Sequence, residues 1–362
     1  MPKFLPSFIS SSNAHGYRNK VECACADQKI RLCNRSMPAM LKITTHKIFV
    51  YALLASTALT ILVIGISFFA AYKTGNLIAP PITGSLSFDE KLFFIAKTRP
   101  IDKIDVLAVG SSMTLNNLSS LPVVNGISDK FINFASWGLS IKQSEYFIRF
   151  LVPLYRPKVV IIVSSPLDFY FDKRDASLFD KEEVNRYLSD GDIIRSYSRH
   201  VYPLYMLKAS RNIKQQRLLN TMYESLLYDP YGGVLLNIDK SNINQQRWDT
   251  KLHLSQIDDN AYGSLERLAN FLAAEGIVLV MVQPPIRRAA ITGTEDSVER
   301  HWKRIEDISL KTSFIFINMD RKLEFSDDYF VDYTHLNRRG ADIFTTSLVD
   351  IIGPVCKKAL MH

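Results

Sequence analysis

Cysteine is scarce in this chain, four in 362 residues, and the four are poorly placed for pairing. Cys23, Cys25 and Cys33 precede a long apolar run, and Cys356 stands alone after it. One cysteine cannot pair within its own chain, so the part beyond the run has no disulfide framework. The "CAC…C" cluster lacks a fourth ligand, and His200, His253 and His301 have no ligand-like spacing. No metal is therefore expected, and no other cofactor. Internal repeats and low-complexity tracts are also missing.

Charge is absent over one stretch, from Ile48 to Tyr72: "IFVYALLASTALTILVIGISFFAAY", bracketed by Lys47 and Lys73. A helix of that length crosses the hydrocarbon core of a bilayer. It is too long for the apolar part of a signal peptide, and 47 residues precede it, so a signal-anchor fits better. Before the run, Lys3, Arg18, Lys20, Lys29, Arg31, Arg35, Lys42 and Lys47 outweigh Glu22 and Asp27 by six, most of the chain's formal +8. The positive-inside rule then puts this end in the cytoplasm and everything after Tyr72 outside. The excess positive charge reads as topology, and nucleic acid is not an expected partner. Residues 1–47 read as a basic tail, disordered over 1–36, with Met37 and Met40 as alternative starts.

What remains has the composition of a folded protein, 47% hydrophobic and 22% charged overall. Residues 73–100, "GNLIAPPITGSLSFDE" among them, read as a linker rich in Gly, Pro and Ser. From 101 to 362 short apolar runs alternate with helical periods. Strands are expected at Lys103–Ser112, Lys130–Ser136, Pro157–Ser165, Ile277–Pro285 and Phe314–Met319. Helices are expected at Ser140–Tyr155, at Asp258–Gly276 and at Thr294–Thr312, and another begins after Asn337, its cap. Residues 171–258, rich in Tyr, Arg, Asn and Gln, read as a mainly helical insertion. Five strands alternating with helices imply right-handed crossovers and a parallel sheet covered on both faces. Ligands bind such sheets at the carboxyl ends of the strands.

Four short motifs fall on those ends: "GSSMT" (Gly110–Thr114), "NFASWG" ending at Gly138, "SSPLDF" (Ser164–Phe169) and "DYTHLN" (Asp332–Asn337). They share one edge of the sheet. A serine hydroxyl needs a base to take its proton, and His335 is a candidate. Asp332 is near enough to fix the tautomer of His335 and steady its imidazolium. The oxyanion formed by attack needs preset N–H donors, which the backbones of Ser112 and Gly138 can supply. Each motif also has a plain reading. "GSSMT" alone is equally a tight turn or a phosphate cradle, though it lacks a glycine-rich loop with a following lysine. Asp168 reads as a cap or loop anchor, Trp137 and the "DFYFD" aromatics as packing, and Arg287 and Arg288 as solvated.

In this order the motifs resemble the SGNH, or GDSL-type, hydrolase superfamily over roughly residues 103–350, the insertion apart. The resemblance implies a three-layer α/β/α, flavodoxin-like domain with five parallel strands; the apolar run places one transmembrane helix before it. It implies Ser112 as nucleophile, Asp332 and His335 as its partners, and an oxyanion hole from Ser112 and Gly138. Two blocks depart from the pattern. Ser111 stands where the first block has aspartate. "SSPLDF" replaces Gly-x-Asn-Asp in the third, leaving Ser165 as the substitute donor. This variant is similar to membrane-anchored branches that act in teichoic-acid D-alanylation and alginate O-acetylation. The expectation is a serine esterase or acyltransferase, acting on ester-linked acyl groups, acetyl first, of a cell-envelope glycan. The compartment is the face of a bacterial inner membrane away from the cytoplasm, with a membrane acyl-donor protein as a further partner. The alternative is a non-catalytic scaffold or glycan-binding subunit of an envelope assembly complex.

Overall fold

The computed structural model describes residues 39–98, 103–170, 179–190, 193–200 and 202–361. The readings of a disordered tail and of the Cys23, Cys25 and Cys33 cluster lie outside them. The chain forms two compact units, residues 1–65 and 66–362. The first is described only where it is helical: α1 (Ala39–Lys73) begins there and ends in the second unit. Its His46–Lys73 part is long and apolar enough to cross a membrane, and its most apolar window has no buried residue.

The second unit is an α/β domain. Its elements run α2 (Leu86–Thr98), β1 (Val106–Ala108), α3 (Ser112–Asn117), α4 (Ser120–Gly126), β2 (Phe131–Asn133), α5 (Ile141–Tyr155) and β3 (Val159–Val163). The insertion follows with α6 (Lys181–Asp190), α7 (Ile193–Arg199), α8 (Pro203–Leu218) and a one-turn α9 (Gln245–Trp248). The chain closes through α10 (Asp259–Ala274), β4 (Val278–Gln283), α11 (Arg288–Ile291), α12 (Glu295–Thr312), β5 (Ile315–Asn318) and α13 (Arg338–Leu360). Among the described residues the insertion has no strand beyond the isolated bridge of Tyr170 with Ile257.

All strand pairs are parallel, in the order β2-β1-β3-β4-β5. Val106 pairs with both Phe131 and Val159, and Val159 with Val278, so β1 to β4 start level, and β5 begins opposite Val280. The continuous apolar runs have a direct cause: side chains alternate between two covered faces. Leu107, Val160, Ile162, Leu279 and Met281 face a core filled from α2, α5, α10 and α12. Val106, Ile161, Val163, Val280 and Val282 face another, filled from α3, α4 and α13. This is the five-stranded, three-layer fold expected from the sequence.

One boundary differs. Residues 86–98, read as linker, form α2, with Phe88, Leu92 and Ile95 buried in the first core. Their spacing of four and three is a helical period, and the Gly, Pro and Ser just before it hid the signal. Arg287 also departs from its solvated reading. It is buried, its guanidinium 3.7 Å from the centre of the Trp248 ring, and it donates to Asp327 at 2.9 Å. Arg288 is exposed and pairs with Asp320.

Candidate active site

β1 runs straight into α3 through Gly110 and Ser111. Gly110 has φ +154°, and a Cβ there would collide with Thr114 Oγ1. That hydroxyl is occupied: it donates to the Val163 carbonyl at 2.8 Å and accepts the Val163 N–H at 2.9 Å. The turn is thereby clamped to the end of β3. Ser111 caps α3 by accepting the Met113 N–H at 3.1 Å. Ser112 is the first residue of that helix.

The loop before α13 holds the other partners. Asp332 is fully buried. Its Oδ1 accepts the N–H groups of Thr334 at 2.9 Å and His335 at 2.7 Å. Its Oδ2 lies 2.9 Å from His335 Nδ1, and His335 Nε2 lies 2.9 Å from Ser112 Oγ. Burial works against the charged form of Asp332, but the imidazole and the convergent donors hold its carboxyl below the usual carboxylate value. With Asp332 as acceptor, Nδ1 carries the proton and Nε2 is free to accept from the serine. Asn337 caps α13 by accepting the Gly340 N–H, as its position before the helical run suggested.

Gly138 lies in the turn after β2 with φ +67°. That loop is tied to the serine turn by the Ser136 N–H donating to the Gly110 carbonyl at 3.0 Å. Ser165, beyond β3, is fully buried; Asp168 Oδ2 accepts its N–H at 3.1 Å, and its hydroxyl has no hydrogen-bond partner among the described residues. The fold thus brings Ser112, His335 and Asp332 into one hydrogen-bonded chain. It places Gly138 and Ser165 on neighbouring loops at the same sheet edge.

One residue of this region escaped the sequence reading. Asn117 spans the histidine loop: its amide donates to the Thr334 carbonyl at 3.3 Å and its oxygen accepts the Leu336 N–H at 2.9 Å. Asp168, read as a cap or loop anchor, does anchor the loop through the Ser165 N–H; it also accepts from Ser111 and Ser164 and lies in the field of His335. Burial raises its carboxyl to about 6 against those donors. Among the described residues no group of three or more His, Cys, Asp or Glu is placed to hold a metal ion.

Neither a protein-family model nor a curated protein matches the sequence. Solved structures similar to this chain include a putative acylhydrolase from Bacteroides fragilis, with 11% identity, TM-score 0.37, and 74% of this chain and 95% of that one covered. A GDSL-like lipase from Bacteroides thetaiotaomicron is similar at 12% identity and TM-score 0.35, covering 70% and 88%. TesA is similar at 9% and 0.38, covering 69% and 99%.

Proposed function

We propose that the chain is a serine hydrolase or acyltransferase of the SGNH type, anchored by α1. One observation carries this reading: the chain of contacts from Ser112 Oγ through both nitrogens of His335 to the buried Asp332. A buried carboxylate oriented on an imidazole that reaches a serine is the arrangement acyl transfer requires. A purely structural role gives no reason for it.

In this mechanism Ser112 Oγ attacks the ester carbonyl while His335 Nε2 takes its proton. Asp332 holds the imidazolium. The N–H groups of Ser112 and Gly138 receive the oxyanion, with the Ser165 hydroxyl as a third donor. As the tetrahedral intermediate collapses, His335 returns the proton to the leaving alkoxide and an acyl-Ser112 remains. Water, or a sugar hydroxyl, then gives its proton to His335 and attacks the acyl carbon; as the acyl–Ser112 bond breaks, His335 hands that proton to Ser112 Oγ and the resting site is restored. Water makes the protein an esterase; a sugar makes it a transferase. We assign the substrate to acyl esters, acetyl first, of an envelope glycan. The basic stretch before α1 supports an orientation with the domain outside the cytoplasm.

The test is labelling of the detergent-solubilised full chain with a fluorophosphonate, mapped by mass spectrometry. Adduct at Ser112, lost in Ser112→Ala and in His335→Ala, is expected. A folded protein that stays unlabelled would favour the scaffold reading.

A further inference from the structure

Between Asp192 and Glu224 the chain carries Arg195, Arg199, Lys208, Arg211, Lys214 and Arg217 and not one carboxylate. The proposed chemistry uses none of these cations. Most of this stretch is α7 and α8. One side of α8 is packed: Tyr205, Met206, Ala209 and Ile213 meet Ile78, Trp137 and Leu226. The other side presents Leu204, Lys208, Arg211, Gln215 and Leu218, all exposed. Their spacings of four and three align them along one face. Leu204 is 84% exposed, and Tyr202, just before the helix, 57%.

A second observation fixes where this face lies. The Tyr197 ring of α7 meets Phe68, in the closing turns of α1, edge-on at 5.0 Å. The Tyr197 hydroxyl donates to the Ile78 carbonyl. At the far end of α8, Arg217 donates to the Gly75 carbonyl at 3.1 Å and pairs with Glu90. Gly75 is two residues beyond the end of α1. Both ends of the basic stretch are therefore fastened to the segment where the chain leaves its apolar helix.

We propose that the exposed face of α7 and α8 rests on the anionic phospholipid headgroups of the bilayer that α1 enters. Tyr202 and Leu204 dip toward the acyl boundary, and Arg199, Lys208, Arg211 and Lys214 meet the phosphates. Exposed aromatic and aliphatic groups flanked by cations suit that interface, where apolar bodies sit below charged heads. Juxtamembrane basic residues are drawn to anionic lipid within a Debye length. An anionic glycan or an acidic protein would use the cations, but neither explains Leu204 in their midst or the fastening beside α1.

The full chain would be reconstituted into vesicles of acyl-brominated phosphatidylcholine, with and without phosphatidylglycerol. Fluorescence of Leu204→Trp would be read against the parent protein. Leu121→Trp, on the exposed face of α4, is the control. Extra quenching at position 204 is expected in the phosphatidylglycerol vesicles and not at position 121. It should be lost when Lys208, Arg211 and Lys214 are all changed to Glu, with the circular dichroism unchanged. No extra quenching at 204, equal quenching at 121, or quenching that survives charge reversal would overturn the proposal. A glycan or protein occupant would give the first of these. Leu204→Trp leaves the packed side of α8 untouched, so that arm stands even if the charge-reversed protein fails to fold. Labelling of Ser112 is scored separately and does not enter this result.

Discussion

At the scale of single residues, Asp168 and Asp332 are two buried carboxylates with opposite electrostatics. Asp332 is charged because His335 and its donors outweigh burial; for Asp168 burial wins and the carboxyl rises to about 6. The signs give separate predictions. A carboxyl raised from 3.8 to about 6 binds its proton more tightly when folded. Its contribution favours the fold fully below pH 3.8 and is lost as pH rises to about 6, a cost of about 3 kcal/mol at most. Asp168→Asn keeps the shape and removes the titration. The difference in Tm between variant and parent should therefore shift in the variant's favour as pH goes from 4 to 7, read by thermal unfolding. Asp332→Asn acts on the rate instead. It leaves the imidazole without its anion and in the wrong tautomer, so kcat on a model acetyl ester should fall on the order of 10³- to 10⁴-fold. A loss below tenfold would remove Asp332 from the proposed mechanism.

At the scale of elements, the site depends on two clamps. Thr114 bridges the start of α3 to the end of β3, and Asn117 bridges α3 to the loop carrying His335. Thr114→Val is nearly isosteric but strands the buried N–H and C=O of Val163. A loss of about 1–3 kcal/mol in urea unfolding is expected. Asn117→Ala frees the Thr334 carbonyl and the Leu336 N–H. It should slow fluorophosphonate labelling at Ser112 more than it lowers Tm, because the loop loosens while the sheet stays. These clamps also mark what was legible in the sequence. Strand runs, the Asn337 cap and the order of motifs at one sheet edge were readable, because apolar period and chain order fix them locally. Asn117 was not, since its partners lie 217 and 219 residues downstream and no local pattern joins them. The helix α2 was half-legible: Phe88, Leu92 and Ile95 carry the period, but the turn-forming residues ahead of them suggested a linker. Ser165 is legible from its place in a motif; that its hydroxyl meets no partner among the described residues depends on the buried loop around it.

At the scale of the whole domain, α2 joins the sheet to the insertion through one cation. Lys91 is fully buried; its ammonium donates to the Asn133 carbonyl at 3.0 Å and to the Gly232 carbonyl, and lies 4.2 Å from the centre of the Tyr228 ring. One group thus ties α2, the end of β2 and the chain beyond α8. Burial lowers its pKa to about 7, with Asp229 opposing. The unfolded chain, at 10.5, therefore binds a proton that the folded chain has begun to release. Between about pH 7 and 10.5 the unfolded state holds more protons, and the contribution of Lys91 to stability rises with pH. Lys91→Met retains most of the stem volume and removes the titration. The stability difference, parent minus variant, should grow between pH 7 and pH 9.5 in urea unfolding. Below about pH 7 the ammonium is charged in both states, so the difference should level off, at a value raised by the two carbonyls the variant leaves without a donor, about 1–3 kcal/mol each, and lowered by the penalty the parent carries for its buried charge. A difference flat from pH 6 to 9.5 would mean that Lys91 keeps its proton through that range, held by the carbonyls and Asp229 more firmly than burial expels it. The clamp between sheet and insertion would then be an ion in the core, not a group that releases its proton near neutrality.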